Sequence, residues 1–110
     1  MSILDPRTID IISTDKQGRV VLTITDHLAW DDDTHLEILQ KKLNLYLAFV
    51  ESGEVYEQYP DSKGKEFIFK VSCKFKPDAV GRDFLGKAGQ IIEGAGFQFQ
   101  YDVFAASYDN

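Results

Sequence analysis

Six side chains able to ligate a metal ion or move a proton fall within ten residues: Asp26, His27, Asp31, Asp32, Asp33 and His35, including both histidines of the chain. Imidazole nitrogens and carboxylate oxygens are ligands for divalent ions. On a helix that began early, Asp31 and His35 would share a face, four residues apart. The spacing matches no metal-site motif, however, and a helix start accounts for the same acids. Thr34 and Glu37 have capping-box spacing, and Asp31, Asp32 and Asp33 lie where carboxylates complement the positive end of a helix dipole. Neither a metal nor a cofactor is expected. A metal, small-ligand or enzymatic site built on His27, Asp31 and His35 stands as the alternative.

Trp30 sits between an Asp-His-Leu-Ala turn and the three acids. A lone Trp there packs under the incoming helix or, if exposed and rimmed by carboxylates, anchors a basic partner. Cys73 alternates with Phe and Val, which points it into the core, away from the base and solvent that a nucleophilic thiolate needs. No G-x-S-x-G motif occurs, and Gly94-Ala95-Gly96 is not followed by the helix that a phosphate loop requires. No enzyme motif survives, so an enzyme is not the expected reading.

The elements that must position these groups follow from periodicity. Residues 8–13 and 19–26 are β-rich runs around Thr14-Asp15-Lys16-Gln17-Gly18, which suits a hairpin loop. Val20, Leu22 and Ile24 alternate with Val21, Thr23 and Thr25, so one face of that strand is buried. Leu36, Leu39, Leu43, Tyr46, Leu47 and Val50 form one helical stripe that stops at Ser52-Gly53. Ile38, Leu45 and Phe49 lie about half a turn away and need a second neighbour, either another element of the chain or a dimer partner.

A second hairpin is expected from residues 54–59 and 65–76 around Pro60-Asp61-Ser62-Lys63-Gly64, with Phe67, Phe69, Val71, Cys73 and Phe75 facing inward. Pro77-Asp78 opens a second helix carrying Val80, Phe84, Leu85, Ala88, Ile91 and Ile92, and Gly94-Ala95-Gly96 closes it. Its glycines 81, 86 and 89 imply close packing against a neighbour. Residues 97–104 form a last strand, and the tail beyond is expected to be mobile.

The resulting expectation is one α+β domain over residues 1–110, a two-layer sandwich of a mainly antiparallel sheet with two helices on one face, in the order ββαββαβ. A ferredoxin-like variant is one candidate, although it leaves no free side for the first strand. The outer sheet face, with Thr23, Thr25, Lys70, Ser72, Lys74, Gln98 and Gln100, is polar. It lacks the exposed aromatics on which RNA-binding sheets stack bases.

Composition narrows the function classes. The 110 residues suffice for one core, and 44% hydrophobic against 27% charged residues is an ordinary globular balance. The formal charge is -6, with the excess acid in the first half, which disfavours nucleic acid and favours a basic partner. No apolar run approaches the ~20 residues of a membrane span. A single cysteine and the absence of a signal-like start make the cytoplasm the expected compartment.

The run Ile24-Thr25-Asp26-His27-Leu28-Ala29-Trp30-Asp31, with His35-Leu36, Leu39-Gln40, Lys42-Leu43-Asn44, Tyr46-Leu47 and Tyr59-Pro60 after it, resembles a family of small uncharacterised bacterial proteins with a domain of unknown function. The resemblance covers most of the chain and implies a bacterial source, but no activity. The leading expectation is a non-enzymatic protein-interaction domain of immunity or accessory type. Its partner surface would be Trp30, Asp31, Asp32, Asp33 and His35. The chain would be a monomer or weak homodimer, with Ile38, Leu45 and Phe49 as the possible dimer contact.

Overall fold

One carboxylate and one glycine turn the chain back on itself near its start. In the computed structural model, which describes Ile9 and residues 11–31 and 34–104, Asp15 Oδ1 accepts the N–H groups of Gln17 and Arg19 at 3.0 and 2.8 Å. Its Oδ2 accepts Arg19 Nε–H at 2.7 Å. Partial desolvation pushes the Asp15 carboxyl up, but the hydrogen bonds and charge of Arg19, with the Gln17 N–H, outweigh it and hold the group below its ordinary 3.8. Gly18, at φ +82°, supplies the left-handed turn residue. The turn joins β1 (Ile11–Thr14) to β2 (Val20–Asp26) in antiparallel register, Ile11 opposite Thr23 and Thr14 opposite Val20.

After β2 comes α1 (His35–Glu51), ended by Ser52 and by Gly53 at φ +84°. Its 17 residues rise about 25 Å, close to the ~23 Å length of a seven-residue strand. The helix therefore returns the chain to the end of the sheet where β2 began. A short α2 (Glu54–Gln58) and a 3₁₀ turn (Pro60–Ser62) lead into β3 (Phe67–Cys73), which lies parallel beside β2 with Val20 opposite Phe67 and Asp26 opposite Cys73. A second crossover, α3 (Ala79–Gly94), delivers β4 (Gln98–Val103) parallel to β3 with Phe69 opposite Phe99. The strands stand in space as they do in sequence, β1-β2-β3-β4.

The fold is α+β, but several expectations are corrected. The second hairpin does not form, because its first arm is α2: Glu54, Glu57 and Gln58 are good helix formers, and Val55 alone of the five residues is buried. The order ββαββαβ thus loses a strand and gains a helix, giving three helices and four strands among the described residues. The sheet is mixed, with one antiparallel and two parallel pairs, where a mainly antiparallel sheet was expected. β2 and β3 are direct neighbours, which is not the split arrangement of a ferredoxin-like fold, and β1 takes the remaining side of β2. The tail expected to be mobile lies, beyond residue 104, outside the described residues.

One sheet face carries the core. Val20, Leu22 and Ile24 with Phe67, Phe69, Val71 and Cys73 meet Leu39, Leu43, Tyr46, Phe49 and Val50 of α1, Val55 of α2, and Leu85 and Ile92 of α3. Tyr46 is fully buried, and its hydroxyl donates to the Thr23 carbonyl at 2.9 Å, so the helix is fixed to the sheet by a bond as well as by packing. The other face carries the expected polar groups, with Val21 and Ile68 buried at one end of it: Lys70 Nζ lies 3.1 Å from one oxygen of Asp102, and the Ser72 hydroxyl donates to the other at 2.9 Å.

Candidate functional site

The loops at the carboxyl ends of β2 and β3 gather the groups singled out by type and spacing, but pair them differently. Asp26 follows Val20, Leu22 and Ile24 on the inward face of β2, and His35 precedes Leu39 by four residues on the inward face of α1. Both side chains are fully buried, and His35 Nε2 stands 2.6 Å from Asp26 Oδ2. The other carboxylate oxygen accepts the Leu28 N–H at 3.1 Å. His35 Nδ1 faces the Ala29 carbonyl at 3.0 Å. A carbonyl only accepts, so Nδ1 carries a hydrogen, and a single proton lies between Nε2 and the carboxylate. The pair ties the last residue of β2 to the first residue of α1.

Trp30 roofs this pair. Its ring centroid lies 4.1 Å from that of His35 with 33° between the planes, and its indole N–H donates to the Phe75 carbonyl at 2.9 Å. The ring also rests on the first turn of α3, where only glycine fits: a Cβ on Gly81 would stand 2.6 Å from Trp30 Cε3. Asp78 Oδ1 accepts the Gly81 N–H at 2.7 Å and fixes that turn as an N-cap. β2, α1, the β3–α3 loop and α3 thus converge on one half-buried indole.

Cys73 sits opposite Asp26 in the β2–β3 register and is 1% exposed. Burial, and then the negative charges of Asp26 and Asp102, push its thiol up to about 12. No nucleophile is therefore offered to solvent there, in keeping with the inward orientation read from alternation. Phe75 departs from that alternation. It was expected on the core face, but β3 ends at Cys73, and Phe75 is 43% exposed with Lys74 Nζ 5.4 Å from its ring centroid.

The six clustered side chains do not act as one site. Asp26 and His35 are buried together, whereas His27 and Asp31 are exposed, and Asp32 and Asp33 lie outside the described residues. Among the described residues no group of three His, Cys, Asp or Glu side chains gathers as a metal site would require. Thr34 holds the N-cap position without a side-chain cap bond, so the capping box with Glu37 is not made. Of the residues considered for a dimer contact, Phe49 is buried in the core, and Ile38 and Leu45 are partly buried against it. The Asp26–His35 pair was missed because the apolar stripe of α1 starts at Leu36. The signal lay in strand parity at 26 and the four-residue step from 35 to 39.

Lys42 is also fully buried, with Nζ 5.8 Å from the Tyr46 ring centroid. Between α1 and α3 runs an apolar groove of about 300 Å³ bordered by Leu43, Leu47, Phe84, Ala88 and Ile91. No helix among the described residues is long and apolar enough to cross a membrane.

No curated protein and no solved structure matches the chain. The matching family model spans residues 1–105, and the chain belongs to that family, DUF6572, a family of unknown function.

Proposed function

We propose that this domain is a non-enzymatic protein-interaction module, a cytoplasmic bacterial protein of immunity or accessory type. Its contact surface is the rim at the carboxyl ends of β2 and β3. The observation that carries the reading is the division of labour at that rim. The reactive side chains Asp26, His35 and Cys73 are turned inward and engaged with one another's surroundings. Phe75 and Asp31 face out. An exposed aromatic on a rigid support loses little freedom on binding and is a natural anchor. Trp30 supplies that support through its bond to the Phe75 carbonyl. The formal charge of -6 and the acid beside Trp30 favour a basic partner, which electrostatics would attract most strongly at low salt.

The test is affinity capture from a lysate of the source organism at low and high salt, with wild type, Phe75→Ala and Asp31→Lys as baits. A specific protein retained at low salt, weakened by salt and lost with either substitution, is the expected result. No retained protein, or retention indifferent to both substitutions, overturns the reading.

A further inference from the structure

β4 is a sheet edge. Among the described residues β3 pairs along one of its sides and no strand pairs along the other. The Phe104 N–H donates to the Cys73 carbonyl at 2.9 Å. Main-chain groups alternate in direction along a strand, so those of Gln98, Gln100 and Asp102 face β3, and those of Phe99, Tyr101 and Val103 face outward. Edges are ordinarily blunted by lysine, proline or a bulge. This one reads Gln98-Phe99-Gln100-Tyr101-Asp102-Val103 in unbroken register with β3 and has none of these. Its one charge, Asp102, is held within the sheet by Lys70 and Ser72.

Beside the edge a groove of about 410 Å³ separates β4 from α3, with Arg82 and Glu93 towards its ends and Gly86 and Gly89 between them. Gly89 is covered by the Phe99 ring, 3.0 Å from where its Cβ would stand, but a Cβ on Gly86 would meet nothing within 4 Å, so the helix surface is bare at Gly86, where a second helix could approach. Arg82 donates one N–H to the Pro77 carbonyl at 3.1 Å. Tyr101, 41% exposed, lines the same groove.

We propose that this edge and groove form a homodimer interface in which β4 pairs antiparallel with β4 of a second copy about a two-fold axis at Gln100. The two α3 helices then meet beside Gly86, the glycine of this face that Phe99 leaves uncovered. In this register Phe99 of each copy stands opposite Tyr101 of the other, and the outward main-chain groups of those residues bond in pairs. Gln98 stands opposite Asp102 on the polar face, and Gln100 opposite itself. The same axis is what the charges require. The midpoint between Arg82 and Glu93 in sequence falls between Gly86 and Gly89, so the two-fold brings Arg82 of each copy towards Glu93 of the other. A partner of any other sequence would have to reproduce both the aromatic register and this charge order, whereas a second copy supplies them by symmetry. The proposal does not depend on the rim around Phe75.

The test is sedimentation equilibrium of the full chain up to submillimolar concentration, with circular dichroism and thermal unfolding in parallel. Wild type should dimerise reversibly. Tyr101→Lys should raise the dissociation constant about thirtyfold, the effect of losing an interface aromatic, with secondary structure retained. Gly86→Ala should also weaken the dimer while leaving the protomer at least as stable. Arg82→Glu should weaken it, and Arg82→Glu combined with Glu93→Arg should restore it, a readout that stands even where Tyr101→Lys fails to fold. A wild type that stays monomeric, even one that captures an extended strand of another protein, overturns the proposal. So does a dimer unaffected by Gly86→Ala and by the charge reversal.

Discussion

His35 contacts a carbonyl through one ring nitrogen and a carboxylate through the other, and its removal leaves the second of these stranded. His35→Ala should destabilise the protein by roughly 3–5 kcal/mol, the cost of removing one partner of a fully buried hydrogen-bonded pair and leaving its volume empty. Asp26→Asn should cost less, about 1–3 kcal/mol. A neutral amide still accepts the Leu28 N–H and can donate to an unprotonated Nε2. Urea unfolding of the two variants measures the difference, and equal costs would contradict a shared proton. Cys73 offers a second check, with a definite sign. Its thiol is raised in the fold to about 12 from 9.0, so the folded state holds the proton longer than the unfolded chain. The stability this confers is whole below pH 9.0 and is lost as pH rises from there towards about 12. In that window wild type should lose stability faster than Cys73→Ala, by at most about 1.4 kcal/mol per pH unit for one proton. In native protein near neutral pH the thiol should resist thiol reagents, and it should react on unfolding.

At the scale of elements, the first turn of α3 is built around a missing side chain. Gly81→Ala forces a Cβ into the Trp30 ring and should cost about 1–3 kcal/mol by overpacking, despite the better helix propensity of alanine. Gly94→Ala, with nothing within 4 Å, should cost nothing comparable, and thermal unfolding of the pair separates the two. The β1–β2 turn responds to acid. The Asp15 carboxyl is held below 3.8, so its contribution is present above that pH and is lost as pH falls through the lowered value. Asp15→Asn should flatten that part of the acid unfolding curve. How much of these elements the sequence disclosed depends on what periodicity can encode. The alternation of Val20, Leu22 and Ile24 and the stop at Gly53 were readable, because each reflects a local rule. The five residues of α2 make less than two turns, too few to tell a helix from weak alternation. Parallel and antiparallel neighbours impose the same two-residue period, so the pairing of β2 with β3 left no mark. Asp26 and His35 carried legible positions but not the apolar character by which inward faces are found. Phe75 was misplaced because parity was carried past the end of β3 at Cys73.

For the whole molecule, β2 and β3 are the best protected strands. Each is paired on both sides, and even their polar-face residues Val21 and Ile68 are buried. Their amides should exchange most slowly, close to the global unfolding limit, and those of β1 faster. The outward amides of Phe99, Tyr101 and Val103 form a separate class. They should exchange quickly in dilute solution and gain protection as concentration rises if copies pair through β4. Exchange independent of concentration at these three, with dimer present, would place the contact elsewhere. The agreement between strand order in space and strand order in the chain also bears on synthesis. That order would allow the sheet to be assembled as the polypeptide leaves the ribosome, β3 docking on the open side of β2 once α1 has emerged and β4 then docking on β3. No strand has to be threaded between two already joined, so the sheet grows vectorially from one margin. Its final margin is completed only when the last helix and strand have been translated.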